Sequence, residues 1–185
     1  KEVWIATNKG VNTITSDSIY TYNSSNGLAY NLINCIIKDK YGTIWFGTSG
    51  NGLLKFQGEN ILVYDKLPDS SPFYSLSFNE SHDKKLMVGT YRNGIININP
   101  YKYIRTDQED KKNNQPGFWC SAKYLNDYYF GSDKGVFKYV DNGYKLIFDV
   151  RDKVLSLFND GEYLWIGTRS ELIQIKKNKI ISRNN

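Results

Sequence analysis

Apolar positions along this chain come in short runs separated by polar turns. Ile44-Trp45-Phe46-Gly47-Thr48 is followed by Ser-Gly-Asn-Gly and then by Leu53-Leu54-Lys55-Phe56, and similar pairs of runs recur to the C-terminus. The runs are too short for helices and rich in β-branched and aromatic residues, with Gly, Asn, Asp and Ser punctuating them about every ten positions. The pattern predicts strands throughout. Several runs are apolar at consecutive positions rather than alternate ones, which is the mark of strands covered on both faces.

The runs also repeat as a group. Trp4-Ile5-Ala6-Thr7 with Gly10-Val11, Trp45-Phe46-Gly47-Thr48 with Gly52-Leu53, Met87-Val88-Gly89-Thr90 with Gly94-Ile95, Tyr129-Phe130-Gly131-Ser132 with Gly135-Val136, and Trp165-Ile166-Gly167-Thr168 with Glu171-Leu172 align on one small residue. Their separation of about 40 residues suits the blades of a β-propeller. The reading is therefore an all-β β-propeller, with about five four-stranded antiparallel blades forming part of a larger ring of about seven. Residues 1–185 make one partial propeller, its blades at roughly 1–24, 31–66, 73–106, 117–150 and 153–185. In the best-preserved copy the strands are expected at 33–38, 43–48, 52–56 and 61–65. In the later copies the inner strands are expected at 74–78, 119–124 and 154–158, and an outer strand near Tyr103.

Two expectations follow from side-chain size. The small residue after the aromatic lets a neighbouring backbone or bulky side chain approach closely. Trp4, Trp45 and Trp165, at one equivalent position, should be core. The first copy lacks an inner strand before Val3 and the last ends on an outer strand, so blade faces are expected to lie exposed and the segment to belong to a longer propeller.

Composition narrows the function. The 185 residues carry 15 Tyr, 9 Phe and 4 Trp, a net charge of +5 and no apolar run long enough for a membrane helix. The chain starts without Met and without a signal peptide, which reads as a cut in a longer protein. Lys and Arg are scattered rather than clustered, so nucleic acid is not an expected partner of this segment, although the positive balance suits an acidic ligand. Cys35 and Cys120 each sit in an apolar strand and have neither metal-ligand nor disulfide-framework spacing. His82 stands alone in a polar turn. No metal, cofactor or catalytic residue is expected, since no nucleophile triad or Gly-rich phosphate loop is present.

One stretch is more specific. Asn26-Gly27-Leu28, then Ile33–Lys38, then Asp39-Lys40-Tyr41-Gly42-Thr43-Ile44-Trp45-Phe46-Gly47-Thr48 and Gly52-Leu53 resemble the two-component regulator propeller repeat. Other copies depart from it: Ala6 replaces Gly, Ser132 replaces Thr and Glu171 stands at the turn Gly. The resemblance implies the periplasmic sensor region of a Bacteroides-type hybrid two-component system, an ectodomain of an inner-membrane protein that senses an oligosaccharide, acidic ligands included. It also implies partnership with further blades and a histidine kinase module of the same chain, and a homodimer.

Propellers place ligand sites on the loops from the outer strand into the next blade and between the two middle strands. Here these are 30–31, 69–74, 115–119 and 151–153, with the turns at 8–9, 49–51, 91–93, 132–134 and 169–170. Their mixture of aromatics and long cations suits a sugar, rings covering apolar faces and cations bonding hydroxyls or carboxylates. The candidate ligand-binding residues are Tyr91, Arg92, Trp119 and Arg169, with Tyr74 and Lys134. The alternatives are a structural or dimerising propeller with no ligand site in these blades, and an enzyme acting on polysaccharide. The latter needs opposed carboxylates, but Asp69, Asp133, Asp152 and Glu171 read more simply as turn residues.

Overall fold

A hydroxyl at the end of each second strand of the repeat closes the turn that follows. Thr7 Oγ1 donates to the Gly10 carbonyl at 2.9 Å, Thr48 to Gly52 at 2.9 Å, Thr90 to Gly94 at 2.8 Å, Ser132 to Gly135 at 3.0 Å and Thr168 to Glu171 at 3.2 Å. The same oxygens accept turn amides from Lys9, Asn51, Asn93, Lys134 and Glu171. A turn that satisfies its own polar groups fixes the hairpin register without help from the rest of the fold.

The computed structural model describes residues 2–58, 60–66, 72–99, 102–106, 115–141 and 143–184. The first sheet has three strands, β1 (Val3–Thr7), β2 (Gly10–Ile14) and β3 (Ile19–Tyr22). Four four-stranded sheets follow. They contain β4 (Ile33–Lys38), β5 (Ile44–Thr48), β6 (Leu53–Gln57) and β7 (Asn60–Tyr64); β8 (Ser75–Glu80), β9 (Leu86–Thr90), β10 (Ile95–Asn99) and β11 (Lys102–Thr106); β12 (Phe118–Tyr124), β13 (Asp127–Ser132), β14 (Gly135–Val140) and β15 (Gly143–Phe148); and β16 (Ser156–Asn159), β17 (Leu164–Gly167), β18 (Leu172–Lys176) and β19 (Lys179–Asn184). In every sheet the strands lie side by side in chain order, so each is a blade-like meander. No helix occurs among the described residues. The last inner strand starts two residues later than the pattern predicts. Val154 N–H bonds the Ser132 carbonyl at 2.9 Å, and so belongs to the preceding turn rather than to the ladder.

The chain divides into two compact units, Lys1–Phe78 and Asn79–Asn185, the division falling within β8. In the first unit Val11, Leu28, Ile33, Ile44, Phe46 and Leu54 form the core, against which Trp4 packs with ring centroids 5.7 Å from Phe46 and 5.0 Å from Phe56. In the second, one cluster gathers Met87, Ile95, Phe118, Phe130, Phe137 and Tyr144, and another gathers Tyr129, Val136, Val154, Leu164, Ile166, Ile173 and Ile175. Each large side chain fully withdrawn from water contributes about 1.5–3 kcal/mol.

Strands β5 and β9 are buried at every position, as their unbroken apolar runs predict. Of the three equivalent tryptophans only Trp45 is fully core; Trp4 and Trp165 are half-buried. Trp165 lies on a sheet face that also exposes Phe158, and its indole is held by Tyr163 and Asp160 of its own blade. The exposed apolar residues Val3, Ile5, Ile19 and Tyr20 in the first sheet, and Leu155, Phe158, Leu172, Ile180 and Ile181 in the last, match the expected exposed blade faces.

Close approach at the small residue is borne out. A Cβ on Gly131 would lie 2.5 Å from both Cys120 Sγ and Val154 Cγ1, and one on Gly47 would overlap Cys35 Sγ and come within 2.9 Å of Ser75 Cβ. Cys35 and Cys120 thus fill the same place in two blades, each opposite its glycine.

Candidate functional site

The sequence runs Gln115-Pro-Gly-Phe-Trp119-Cys120 into β12, and the ladder there is irregular. Phe118 pairs with Ser132 and Cys120 with Gly131, so Trp119 is squeezed out of register as a β-bulge. Bulges re-aim a side chain away from the regular alternation. Phe118 and Cys120 face the packed interior, while the Trp119 ring goes to the loops at the strand's end. The second blade has the same bulge, with Asn34 squeezed out between Ile33 and Cys35. Two blades thus share the bulge, and the residue it turns out differs between them.

Three loops of the second unit meet at Trp119. From the β9–β10 turn, Tyr91 packs against it with centroids 5.7 Å apart and planes inclined by 50°. Gly117 closes in from the loop before β12; a Cβ there would lie 3.2 Å from both the Trp119 and Tyr91 rings, so no larger residue fits without displacing them. From the loop between β15 and β16, Lys153 sets its Nζ 3.3 Å from the Trp119 ring centroid. Arg92 lies over Tyr91, its guanidinium carbon 4.9 Å from the ring centroid. The Trp119 indole N–H is buried and has no hydrogen-bond partner among the described residues. An orphan of this kind is destabilising by about 1–3 kcal/mol unless something outside the fold accepts the bond.

The backbone adds a second irregularity. Arg92 has φ +68°, at the turn position where the second blade carries Gly50 with φ +97°. A side chain there is strained by about 1–2 kcal/mol relative to glycine. The strained turn position thus carries the cation that lies over Tyr91.

Acids of the neighbouring loops are engaged locally. Asp152 accepts from the Lys153 amide at 2.6 Å and, through its other oxygen, from the Arg169 amide and the Ser170 hydroxyl, both at 3.1 Å. Asp149 accepts the Arg151 amide at 3.2 Å, and Glu171 pairs with Arg183 at 3.2 Å. The turn role expected of Asp152 and Glu171 is what their contacts show. Asp133 is exposed in its turn, and Asp69 lies outside the described residues.

Of the six residues singled out from the sequence, Tyr91, Arg92 and Trp119 come together in contact. Arg169 is exposed on the turn that Asp152 ties to the Lys153 loop. Lys134 is exposed, its amide bonded to Ser132 Oγ at 2.9 Å, and nothing brings its side chain to the aromatic pair. Tyr74 belongs to the first unit, where it lies over the β5–β6 turn; a Cβ on Gly50 would be 3.0 Å from its ring. Lys153 was not singled out, because it stands 34 positions from Trp119 and only the return of the chain across the fourth blade brings the two together.

Residues 27–50 match the family model described as two component regulator propeller. No curated protein sequence matches the chain. Among solved structures, the chain is similar to the extracellular domains assigned to two hybrid two component systems of B. thetaiotaomicron. With one it shares 19% identity over 97% of this chain and 28% of that one at a TM-score of 0.76; with the other, 22% over 90% and 25%, also at 0.76. It is similar as well to virginiamycin B lyase from Staphylococcus aureus, with 18% identity over 99% of this chain and 66% of the lyase at a TM-score of 0.75. The chain spans about a quarter of the length of the two-component relatives. Identities this low establish the fold, which sensors and a lyase share, so function has to be argued from the site. Residues 27–50 therefore carry one two-component regulator propeller repeat, and the chain folds as successive blades of a β-propeller.

Proposed function

We propose that this chain is a ligand-binding segment of a periplasmic sensor, part of a hybrid two-component regulator that recognises an oligosaccharide and signals to a histidine kinase. One observation carries the reading. Loops of three successive blades bring Tyr91, Arg92, Trp119 and Lys153 into one cluster with an unsatisfied buried donor, on a strand bulge that aims the tryptophan outward. Aromatic rings flanked by long cations and free donors are what saccharide hydroxyls and acid groups bind. The matched repeat and the extracellular two-component relatives support the sensor part.

Titration calorimetry of the chain against an oligosaccharide panel tests the reading. Binding is expected, with Trp119→Ala and Arg92→Ala each weakening it by about 1–3 kcal/mol. Unchanged affinity in folded variants would remove the cluster from the site. A second reading, a structural or dimerising segment, is favoured by the exposed Phe158, Leu172 and Ile181 of the last blade. It predicts a molecular mass that rises with concentration and a panel without binders.

A further inference from the structure

We propose that the cluster selects an anionic saccharide, one bearing a carboxylate or a sulfate, over a neutral one; this rests on the saccharide-binding reading above. A neutral sugar ring binds an aromatic platform through its C–H face and needs a bare ring to lie on. The rings here are not bare. Lys153 holds its ammonium over Trp119 at 3.3 Å, Arg92 holds its guanidinium over Tyr91 at 4.9 Å, and the backbone at Gly117 closes against both rings. What the cluster offers a ligand is the outward side of two cations.

Both cations remain good anion donors in this arrangement. A guanidinium stacked on a ring keeps its in-plane N–H groups for a bidentate bond to carboxylate or sulfate, and an ammonium over a ring keeps its own donors. Among the described residues neither forms an ion pair with a carboxylate; Asp152 and Asp149 accept backbone amides and Glu171 pairs with Arg183. Asp133 and Asp149, both exposed, and Asp152 beside Lys153 are the acids in these loops that would oppose an anion. The strained φ of Arg92 fits the same purpose, since glycine would relieve the strain and lose the charge.

The test is calorimetric titration of the 185-residue chain with trigalacturonate, 6-sulfated lactose, maltotriose and inorganic sulfate. At least one acidic saccharide is expected to bind about tenfold or more tighter than maltotriose, and to weaken between about 20 and about 300 mM NaCl as the charges are screened. Comparing the first two probes distinguishes a carboxylate from a sulfate requirement. Arg92→Gln and Lys153→Gln are each expected to weaken the acidic saccharide about tenfold, a larger factor than either costs maltotriose. Should the Lys153 variant fail to fold, Arg92→Gln on its exposed turn carries the test. Equal, salt-independent binding of maltotriose overturns the charge selection and leaves saccharide binding standing. Sulfate binding as tightly as the acidic sugars overturns it in favour of an adventitious ion only. Binding by none of the probes overturns both this inference and the reading beneath it.

Discussion

Lys153 places its ammonium 3.3 Å from the centroid of the Trp119 ring, although 34 residues of chain and an entire blade separate them in sequence. The contact joins the loop leaving the fourth blade to the first strand of that same blade. Trp119 in turn meets Tyr91 from the third, so one tryptophan ties together loops that the meander alone would leave independent. A half-buried contact of a cation with a ring face contributes about 0.5–2 kcal/mol, more than a surface ion pair of the same charge.

A double-mutant cycle measures it. Lys153→Ala and Trp119→Leu are expected to show a coupling of about 1 kcal/mol in urea unfolding, with Lys153→Arg retaining most of it. A coupling within error of zero would mean that the two side chains are neighbours without energetic consequence.

Those two residues also mark how far the amino-acid pattern reaches. Strand order, turn positions and the glycine packing were legible because they depend on short-range chemistry: a hydroxyl at Thr48 that bonds Gly52, a small residue at Gly131 that faces Cys120. Tyr91, Arg92 and Trp119 could be picked from loop position and residue type. The bulge that turns Trp119 outward could not, because it exists only in the pairing of β12 with β13. Lys153 was missed for the same kind of reason. Not all the tryptophans are core: Trp45 and Trp165 occupy the same place in the repeat, yet burial depends on what lies against the sheet face, which a repeat cannot specify.

The glycines at one repeat position are expected to respond differently to alanine. At Gly167 the added methyl would overlap Ser156 Oγ and would otherwise have room, Ser156 Cβ being 3.8 Å away. Gly167→Ala should therefore be destabilising alone and largely rescued by Ser156→Ala. At Gly131 the methyl meets Val154 Cγ1 as well as Cys120 Sγ, both at 2.5 Å, so Cys120→Ala should leave most of an overpacking loss of about 1–3 kcal/mol in place. Unfolding midpoints of the four variants decide it; equal rescue at both sites contradicts the packing described.

Two blades tie the strand tryptophan to an acid in the preceding turn. Trp45 Nε1 donates to Asp39 Oδ2 at 2.9 Å, and Trp165 Nε1 to Asp160 Oδ2 at 2.7 Å. The other oxygen of each takes turn amides, Tyr41 and Thr43 on Asp39, Glu162 and Tyr163 on Asp160. The indole bond first, and then the amides, hold the Asp160 carboxyl below its usual value. A depressed carboxylate contributes stability that is present above the unfolded-state value and lost as pH falls through the folded one. Wild type should accordingly lose more thermal stability on acidification from about pH 5 to about pH 3 than Asp160→Asn does. Parallel pH profiles for the two proteins would rule the linkage out.

Cys35 and Cys120 should be chemically silent in the folded chain. Both thiols are free, and each lies against its strand-partner glycine and against the start of the next blade: Cys35 Sγ is 3.9 Å from the Ser75 carbonyl and Cys120 Sγ 4.0 Å from that of Val154, just before β16. Burial raises both thiols, Cys120 to about 12 and Cys35 well above the usual thiol range, because a thiolate there would lose its hydration. The reactive species is the thiolate, so neither cysteine has an appreciable nucleophilic fraction at about pH 8. The sign for stability follows from the raised folded-state value. Stability is intact below the unfolded-state thiol pKa and declines as pH rises through and beyond it, since only the unfolded chain ionises readily. A disulfide exchange reagent at about pH 8 should thus label the folded chain only as fast as it opens, and both thiols at once in denaturant. Prompt labelling of either cysteine under native conditions would show that its strand is not packed against its glycine and the next blade as described.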